Sequence, residues 1–363
     1  MDLCSKIAVL KKRSGFDFDA DLFVGILTSL ISKQQAIVTV DRDVYLNFTE
    51  QMILLVGSNI FGFTTKTVVC TPDMTTDEFA EAILLKNEHV PGGFSALPAQ
   101  LGPTPVNEKT DQEWSWNGIG SRRPVSGPPG SAESLPNLVV IRDLDSSSNY
   151  VQAQLLEILR TKNLASSKGV VITPPQFLVV PLLSRNTMRR HLFPYLLDHF
   201  FLSHNYIPGN VDEAQVEFGK WTPEIELPPI ASHRLFLPKE IEYLTATISS
   251  IVIGAEIRRY MHDIMVFLRM HRAIRGGISA RASRDFELLV RCLCPLHGLN
   301  YATPAIVKIA ARKTYTHRIT VPSPEDERSM AYGSDVEAVT KFLQFWTPDL
   351  VLDDVLDSVP IPL

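Results

Sequence analysis

Apolar positions recur along this chain in two rhythms, and the switch between them divides it. In the first part, Asp17 to Ser32 carries apolar residues at helical spacing and Ala36 to Val40 is a short β-branched run. Asn47 to Asn59 is again helical, and Lys66 to Cys70 is extended. Thr75 and Glu78 form a Thr-x-x-Glu capping box, which predicts a helix over Thr75 to Leu85. Strands at Leu138 to Ile141 and Phe177 to Pro181 flank a helix at Asn149 to Leu159. Strands alternating with helices predict a parallel sheet with helices on both faces.

From Pro91 to Pro136 the chain is dense in Pro, Gly and Ser, which predicts a long exposed insertion with no core element. After Asn210 the extended rhythm ends. Phe218 to Pro229 reads as a Pro-interrupted connector, and helices follow at Lys239 to Ile251, Ala255 to His271, Ala280 to Leu296 and Pro304 to Tyr315. Three regions are therefore expected: an α/β domain over 1–210, an all-helical domain over 211–320, and a segment over 321–363. In the last, Thr320 to Ser334 reads as a linker, Asp335 to Trp346 as one amphipathic helix, and the acidic remainder as a mobile tail.

Composition narrows the class without naming a function. Of 363 residues, 45% are hydrophobic and 21% charged, with a formal net charge of -5, as in ordinary globular proteins. No apolar run approaches the ~18 residues needed to span a bilayer, and the start of the chain has no signal or transit character; no membrane association is expected, and cytoplasm or nucleus is the expected location. Cys4, Cys70, Cys292 and Cys294 offer no disulfide framework and no metal spacing. Cys292 and Cys294, two apart on a helix, diverge by about 200°, so they read as buried thiols. His262, His271 and His297 have no His-Glu-x-x-His spacing, and no Gly-x-Ser-x-Gly elbow accompanies the serines. Between Ala255 and Ile319 there are 12 Lys/Arg against 4 Asp/Glu. That local excess of 8 reads as a helix face paired with acidic surface elsewhere, or as a docking face for an acidic protein partner. Nucleic acid is not expected, because no aromatic interleaving or reader motif goes with it.

Two stretches carry a family resemblance. Val139 to Leu159, VVIRDLDSSSNYVQAQLLEIL, is an apolar run ending at an acidic residue, followed by a helix with Val151, Gln152, Leu155, Leu156 and Glu157. Arg275 to Ile319 contains Ser279, Arg281, Gly298, Tyr301, Thr303, Pro304, His317 and Arg318 in order. Together they resemble the MoxR and magnesium-chelatase group of AAA+ ATPases, over about residues 20 to 320. The first stretch matches the family's second nucleotide motif and the second its helical lid. The chain is also similar to a degenerate fungal group named for maintenance of telomere capping. The resemblance implies an AAA+ P-loop-type parallel sheet with helices on both faces plus an all-α lid, and an AAA+-type oligomer. It also implies that Arg281 senses the γ-phosphate of a bound nucleotide.

The chain departs from the family pattern wherever the chemistry lies. Arg142 stands where the magnesium-binding Asp belongs, and a guanidinium cannot supply the anionic oxygen that Mg²⁺ requires. Asp143 replaces the water-activating Glu, Ser184 the polar sensor Asn, and His199 the arginine that reaches into a neighbouring subunit. A phosphate loop needs glycines and a lysine. The segment Asp41 to Asn47, DRDVYLN, has neither, while a competing register at Gly57 and Gly62 puts Phe63 in the lysine's place. No intact catalytic residue remains. The expectation is a pseudo-ATPase acting as an interaction or scaffold protein, with no cofactor. The alternative is an active ATP- and Mg-dependent protein resembling a magnesium-chelatase subunit or a MoxR chaperone.

Overall fold

A computed structural model of the chain describes residues 3–15, 17–85, 134–166, 169–185, 192–207 and 236–362. The described elements belong to one compact unit formed by Met1–Leu85 and Ser134–Leu363. The expected insertion, apart from residues 134–136, and the expected connector lie outside the described residues, as does the boundary near 210.

Five parallel strands make the central sheet. In chain order the described strands are β1 (Gln35–Val40), β2 (Thr65–Val69), β3 (Leu138–Arg142), β4 (Asn163–Ser166), β5 (Gly169–Ile172), β6 (Leu178–Ser184) and β7 (Phe200–Tyr206). The sheet runs β2-β3-β6-β1-β7, and β4 and β5 form a separate antiparallel hairpin. Successive side chains alternate between two cores, as the strand period of two demands. Val38, Val40, Val140, Val180 and Leu182 face one core, and Ile37, Val139, Ile141, Val179 and Leu183 the other.

Helices α1 (Leu3–Ser14), α2 (Ala20–Ser32) and α3 (Leu46–Leu55) contribute to the first core, and α4 (Thr76–Ile83) and α5 (Asn149–Thr161) to the second, where the short α6 (Pro194–Leu197) also packs. Burial on both faces explains why the strands are near-continuous apolar runs. The capping box is present: Glu78 N donates to Thr75 Oγ1 at 3.3 Å and Thr75 N to Glu78 Oε2 at 2.8 Å.

A helical layer follows: α7 (Pro238–Ser250), α8 (Ala255–Met270), α9 (Ala280–Leu296) and α10 (Pro304–Tyr315). Their apolar faces join the first core, with Phe286, Leu289, Val307 and Tyr315 fully enclosed. Local signals set their starts. Ser279 caps α9 by accepting from Ala282 N at 2.9 Å, and Thr303 caps α10 with Pro304 at the first helical position. Gly277 has a φ of +104°, and a Cβ there would lie 2.0 Å from the Arg318 carbonyl oxygen. Only glycine fits that turn.

Two sequence expectations need correction, and the register set aside on sequence at Gly57 and Gly62 is excluded by the structure as well. The tail is not mobile: after α11 (Val336–Leu343), α12 (Pro348–Ser358) buries Val351, Leu352, Val355 and Leu356 against α8 and α10. Its apolar residues fall at helical spacing behind a Thr347-Pro348 start, and the acidic residues between them occupy its outer face. The stretch read as a linker contains helical turns at Pro324–Asp326 and Arg328–Tyr332. The register at Gly57 and Gly62 is no phosphate loop, because Val56–Ile60 continues α3 as a single π turn. There a Cβ on Gly57 would press on Leu138 at 2.5 Å, and Phe63 is buried against Phe61 with ring centres 5.5 Å apart.

Candidate functional site

The carboxyl ends of parallel strands are where such sheets bind ligands, and here that edge is filled by protein. Residues 41–47 follow β1 as an extended residue at Arg42 and one 3₁₀ turn, Asp43–Tyr45, that runs straight into α3. Among the described residues, positive φ outside glycine occurs only at Lys33, Asp143 and Lys162. The segment therefore has none of the left-handed turns that aim successive N–H groups at a phosphate.

Arg142 closes the gap between the end of β3 and the first turns of α3. Its Nη1 donates to Asn47 Oδ1 at 2.6 Å and to Glu50 Oε2 at 3.2 Å. Both charged partners are largely covered, with side-chain exposures of 22% and 17%. A cation thus joins the loop helix to the strand end.

Asp143 follows in the left-handed region at φ 54°, held by a turn in which Ser146 N donates to Asp143 O at 3.0 Å. Burial raises its carboxyl pKa, Arg142 opposes this, and Asp145, Asp43 and Glu50 reinforce it. The Cys70 thiol is pushed up to about 12 by burial, with further contributions from Asp143 and Asp145. This part of the edge therefore concentrates carboxylates around the Arg142 guanidinium, an arrangement that disfavours a triphosphate. No group of three His, Cys, Asp or Glu among the described residues could hold a metal ion.

Ser184 ends β6, buried, directly opposite Val40 of β1. Beside it Arg185 binds Asp41 of the loop at 3.2 Å and also pairs with Asp349 at the start of α12. Asn205 of β7 donates to Asp41 Oδ1 at 3.2 Å. The loop's first carboxylate is thereby held by two neighbours, neither of them evident from sequence because they lie more than 140 residues away.

His199 and Arg281 are elsewhere. His199 immediately precedes β7, at the amino end of the sheet, and Arg281 lies in the first turn of α9; Arg281 Nη1 donates to His199 Nε2 at 3.0 Å. Burial and Arg281, followed by Arg160, press the His199 pKa down to about 4. The structure thus brings Arg142, Asp143 and Ser184 to one edge and joins His199 to Arg281 at the other.

Next to that pair, the lid is fastened by His317 and Arg318. Arg318 Nη2 donates to Phe200 O at 2.7 Å and to Asp198 O at 3.2 Å, and it pairs with Asp285. His317 Nε2 meets Phe200 O at 2.9 Å, and burial holds its pKa near 3. Ser279 donates to Asp198 Oδ1 at 2.7 Å.

Part of the lid's excess positive charge is met by acids elsewhere in the chain. Arg272 binds Glu327 at 3.0 Å, Arg312 binds Asp353 at 2.6 Å and Arg275 binds Asp326 at 2.5 Å. The three cysteines with described side chains, Cys70, Cys292 and Cys294, are buried and unpaired. No helix among the described residues is long and apolar enough to cross a membrane.

Comparison with known proteins agrees with this geometry. Residues 266–340 match the AAA lid domain family. The fold is similar over 99% of this chain and 96% of the other to a crystal structure provisionally described as an ATPase from Cytophaga hutchinsonii, with a TM-score of 0.64 at 12% identity. Among curated proteins, the chain is 31% identical over 101 residues to "Maintenance of telomere capping protein 2" of Kluyveromyces lactis, covering 26% of this chain and 37% of that protein. It is 34% identical over 104 residues to the Saccharomyces cerevisiae protein of the same name, covering 27% and 29%. The matched stretch spans about a third of the length of these relatives.

Proposed function

The chain has the AAA+ fold with an AAA lid domain, and from that premise we propose that it is a pseudo-ATPase of the MoxR and magnesium-chelatase type that works as an interaction or scaffold protein. The observation that carries this reading is Arg142, bound at 2.6 Å to Asn47 and at 3.2 Å to Glu50 between β3 and the loop helix. The guanidinium, already committed to Glu50, stands where hydrolysis would require a carboxylate and a hydrated metal. Asp41, held by Arg185 and Asn205, adds a negative charge where a phosphate would have to lie.

Losing a trans arginine alone typically lowers phosphoryl-transfer rates by ~10³ to 10⁵. His199 stands at that position, and here the loop, the metal carboxylate and the base are altered as well. A sheet and lid that stay fully packed while the chemistry is altered support a role in binding, including AAA+-type self-assembly. The relatives named for maintenance of telomere capping direct the search for partners to the nucleus as well as the cytoplasm.

The test is a thermal-shift series with ATP, ADP and a non-hydrolysable analogue, each with and without magnesium at millimolar concentration. A ligand at 100 times its Kd adds ~2.7 kcal/mol to stability. No movement of the midpoint is expected. A magnesium-dependent rise would overturn the reading and favour an active ATPase with a divergent loop.

A further inference from the structure

Uncompensated positive charge gathers at the amino end of the sheet. Lys33 caps the carboxyl end of α2 at φ 55°, and Lys162 caps that of α5 at φ 58°. Both occupy a left-handed position that glycine usually takes, and both backbones are fixed by bonds back to the helix: Lys33 N donates to Leu30 O at 3.3 Å, Lys162 N to Ile158 O at 2.9 Å. With Arg160, His199 and Arg281 they line a pocket of about 310 Å³ whose lining includes no carboxylate.

Among the described residues, no acid lies within ion-pairing distance of Lys33, Arg160 or Lys162. The nearby Asp198 and Asp285 are engaged by Arg318, and Asp285 also lies 3.8 Å from Arg281, so the unpaired charge rests on Lys33, Arg160 and Lys162. Burial and Arg281 lower the Lys162 pKa. His199 accepts from Arg281 through Nε2, so its Nδ1 carries the proton and is a further donor. A cavity of about 340 Å³ between the carboxyl ends of β1 and β7 and helix α10 contrasts with this, since its Arg185 and Lys313 share the lining with Asp21 and Asp349.

A groove of about 630 Å³ adjoins the pocket and shares Lys33, Gln34 and Lys162 with it. Its apolar walls are Leu30 of α2, Ile241 of α7, and Ile172, Pro174, Pro175 and Phe177 from β5 and the turn into β6, with Glu242 of α7 its one carboxylate. Ile172 is 75% exposed there. A cationic pocket opening into an apolar groove matches a ligand with a compact anionic head and an apolar extended body.

We propose that pocket and groove form one docking site for a phosphorylated peptide, with the phosphoryl group among Lys33, Arg160, Lys162 and Arg281 and flanking apolar residues along the groove. Charge density selects the phosphoryl group. One phosphate brings close to two negative charges and three acceptor oxygens on one side chain, whereas carboxylates would need several side chains in the same volume. Guanidinium groups suit the bidentate geometry of phosphate. This deepens the interaction-protein reading by naming the partner's chemistry and relocating its site from the lid surface to the amino end of the sheet.

The experiment passes a degenerate phosphothreonine peptide library with apolar flanks, and its dephosphorylated form, over the immobilised full chain. The phosphorylated library should be retained and eluted by millimolar inorganic phosphate. The Arg160→Glu/Lys162→Glu double variant, altered only at exposed side chains, should weaken retention by about tenfold or more. Ile172→Asp should weaken the peptide and leave inorganic phosphate binding unchanged. Equal retention of both libraries, no retention of either, or indifference to the double variant would overturn the proposal. So would inorganic phosphate binding as tightly as the library, since the groove would then contribute nothing. The assay contains no nucleotide, so its failure leaves the pseudo-ATPase reading standing, and a nucleotide-induced thermal shift would leave this proposal standing.

Discussion

Arg142 and Arg318 put the same side chain to different uses. Arg318 is 3% exposed and has Asp285 and the Phe200 and Asp198 carbonyls around it. Removing it leaves Asp285 buried without its nearest cation and the Asp198 carbonyl without its donor. Arg318→Ala should cost about 3–5 kcal/mol in urea unfolding, the usual loss when one partner of a buried pair is deleted. Arg318→Lys should recover only part of this, because all three contacts are made by the terminal Nη2, which the shorter lysine side chain does not reach in the same place. Arg142 is partly solvated, so Arg142→Ala should cost less, about 1–3 kcal/mol. Arg142→Asp should destabilise further by setting a second carboxylate against Glu50, and it should fail to create magnesium-dependent nucleotide binding in the thermal-shift assay. The sequence singles out Arg142 because a cation stands where chemistry demands an anion. Its partners Asn47 and Glu50 are invisible there, being more than 90 residues away in the chain.

At the scale of elements, what is legible depends on whether the signal is local. Helices α9 and α10 start and end as read, because Ser279 and the Thr303-Pro304 pair announce them within a few residues. β7 goes unread for the opposite reason. FFLSHNY lacks alternation, and it is buried at a sheet edge because α10, α9 and α2 cover it, which is a tertiary fact. The exposed β4–β5 hairpin and α12 are missed likewise, the latter because its acidic residues mask an apolar stripe. Gly277 is the sharpest test at this scale. Gly277→Ala must move the Arg318 carbonyl, 2.0 Å from the new Cβ, and so must loosen the turn that seats α9. A loss of about 3 kcal/mol or more is expected, read as a fall in thermal midpoint, whereas Gly298→Ala, with open space around it, should cost only about 1 kcal/mol for its positive φ.

For the whole molecule, these placements predict sensitivity to acid. His199, His204 and His317 are held near 4, 3 and 3, in each case first by burial, below the ordinary 6.5. A base whose pKa is depressed by folding contributes no penalty above about 6.5. Below that the unfolded chain takes up protons that the folded chain refuses, and each histidine removes up to about 1.4 kcal/mol per pH unit until its folded pKa is reached. Glu327 works in the same direction lower down. Hydrogen bonds from Arg272 and Ser329 hold it near 2 against an ordinary 4.5, so its contribution is present above about 4.5 and lost as the pH falls towards 2. Because Glu327 fastens the turn at Arg328–Tyr332 to Arg272, this acid-labile contact is also one that holds that segment against the chain following α8. The thermal midpoint should therefore fall from pH 7 to pH 5, before Glu327 titrates. In His317→Asn, which keeps a donor for Phe200 O but cannot take up a proton on unfolding, the fall should be shallower although the variant starts from a lower midpoint. Equal slopes in the two proteins would show that His317 is not a source of the acid dependence.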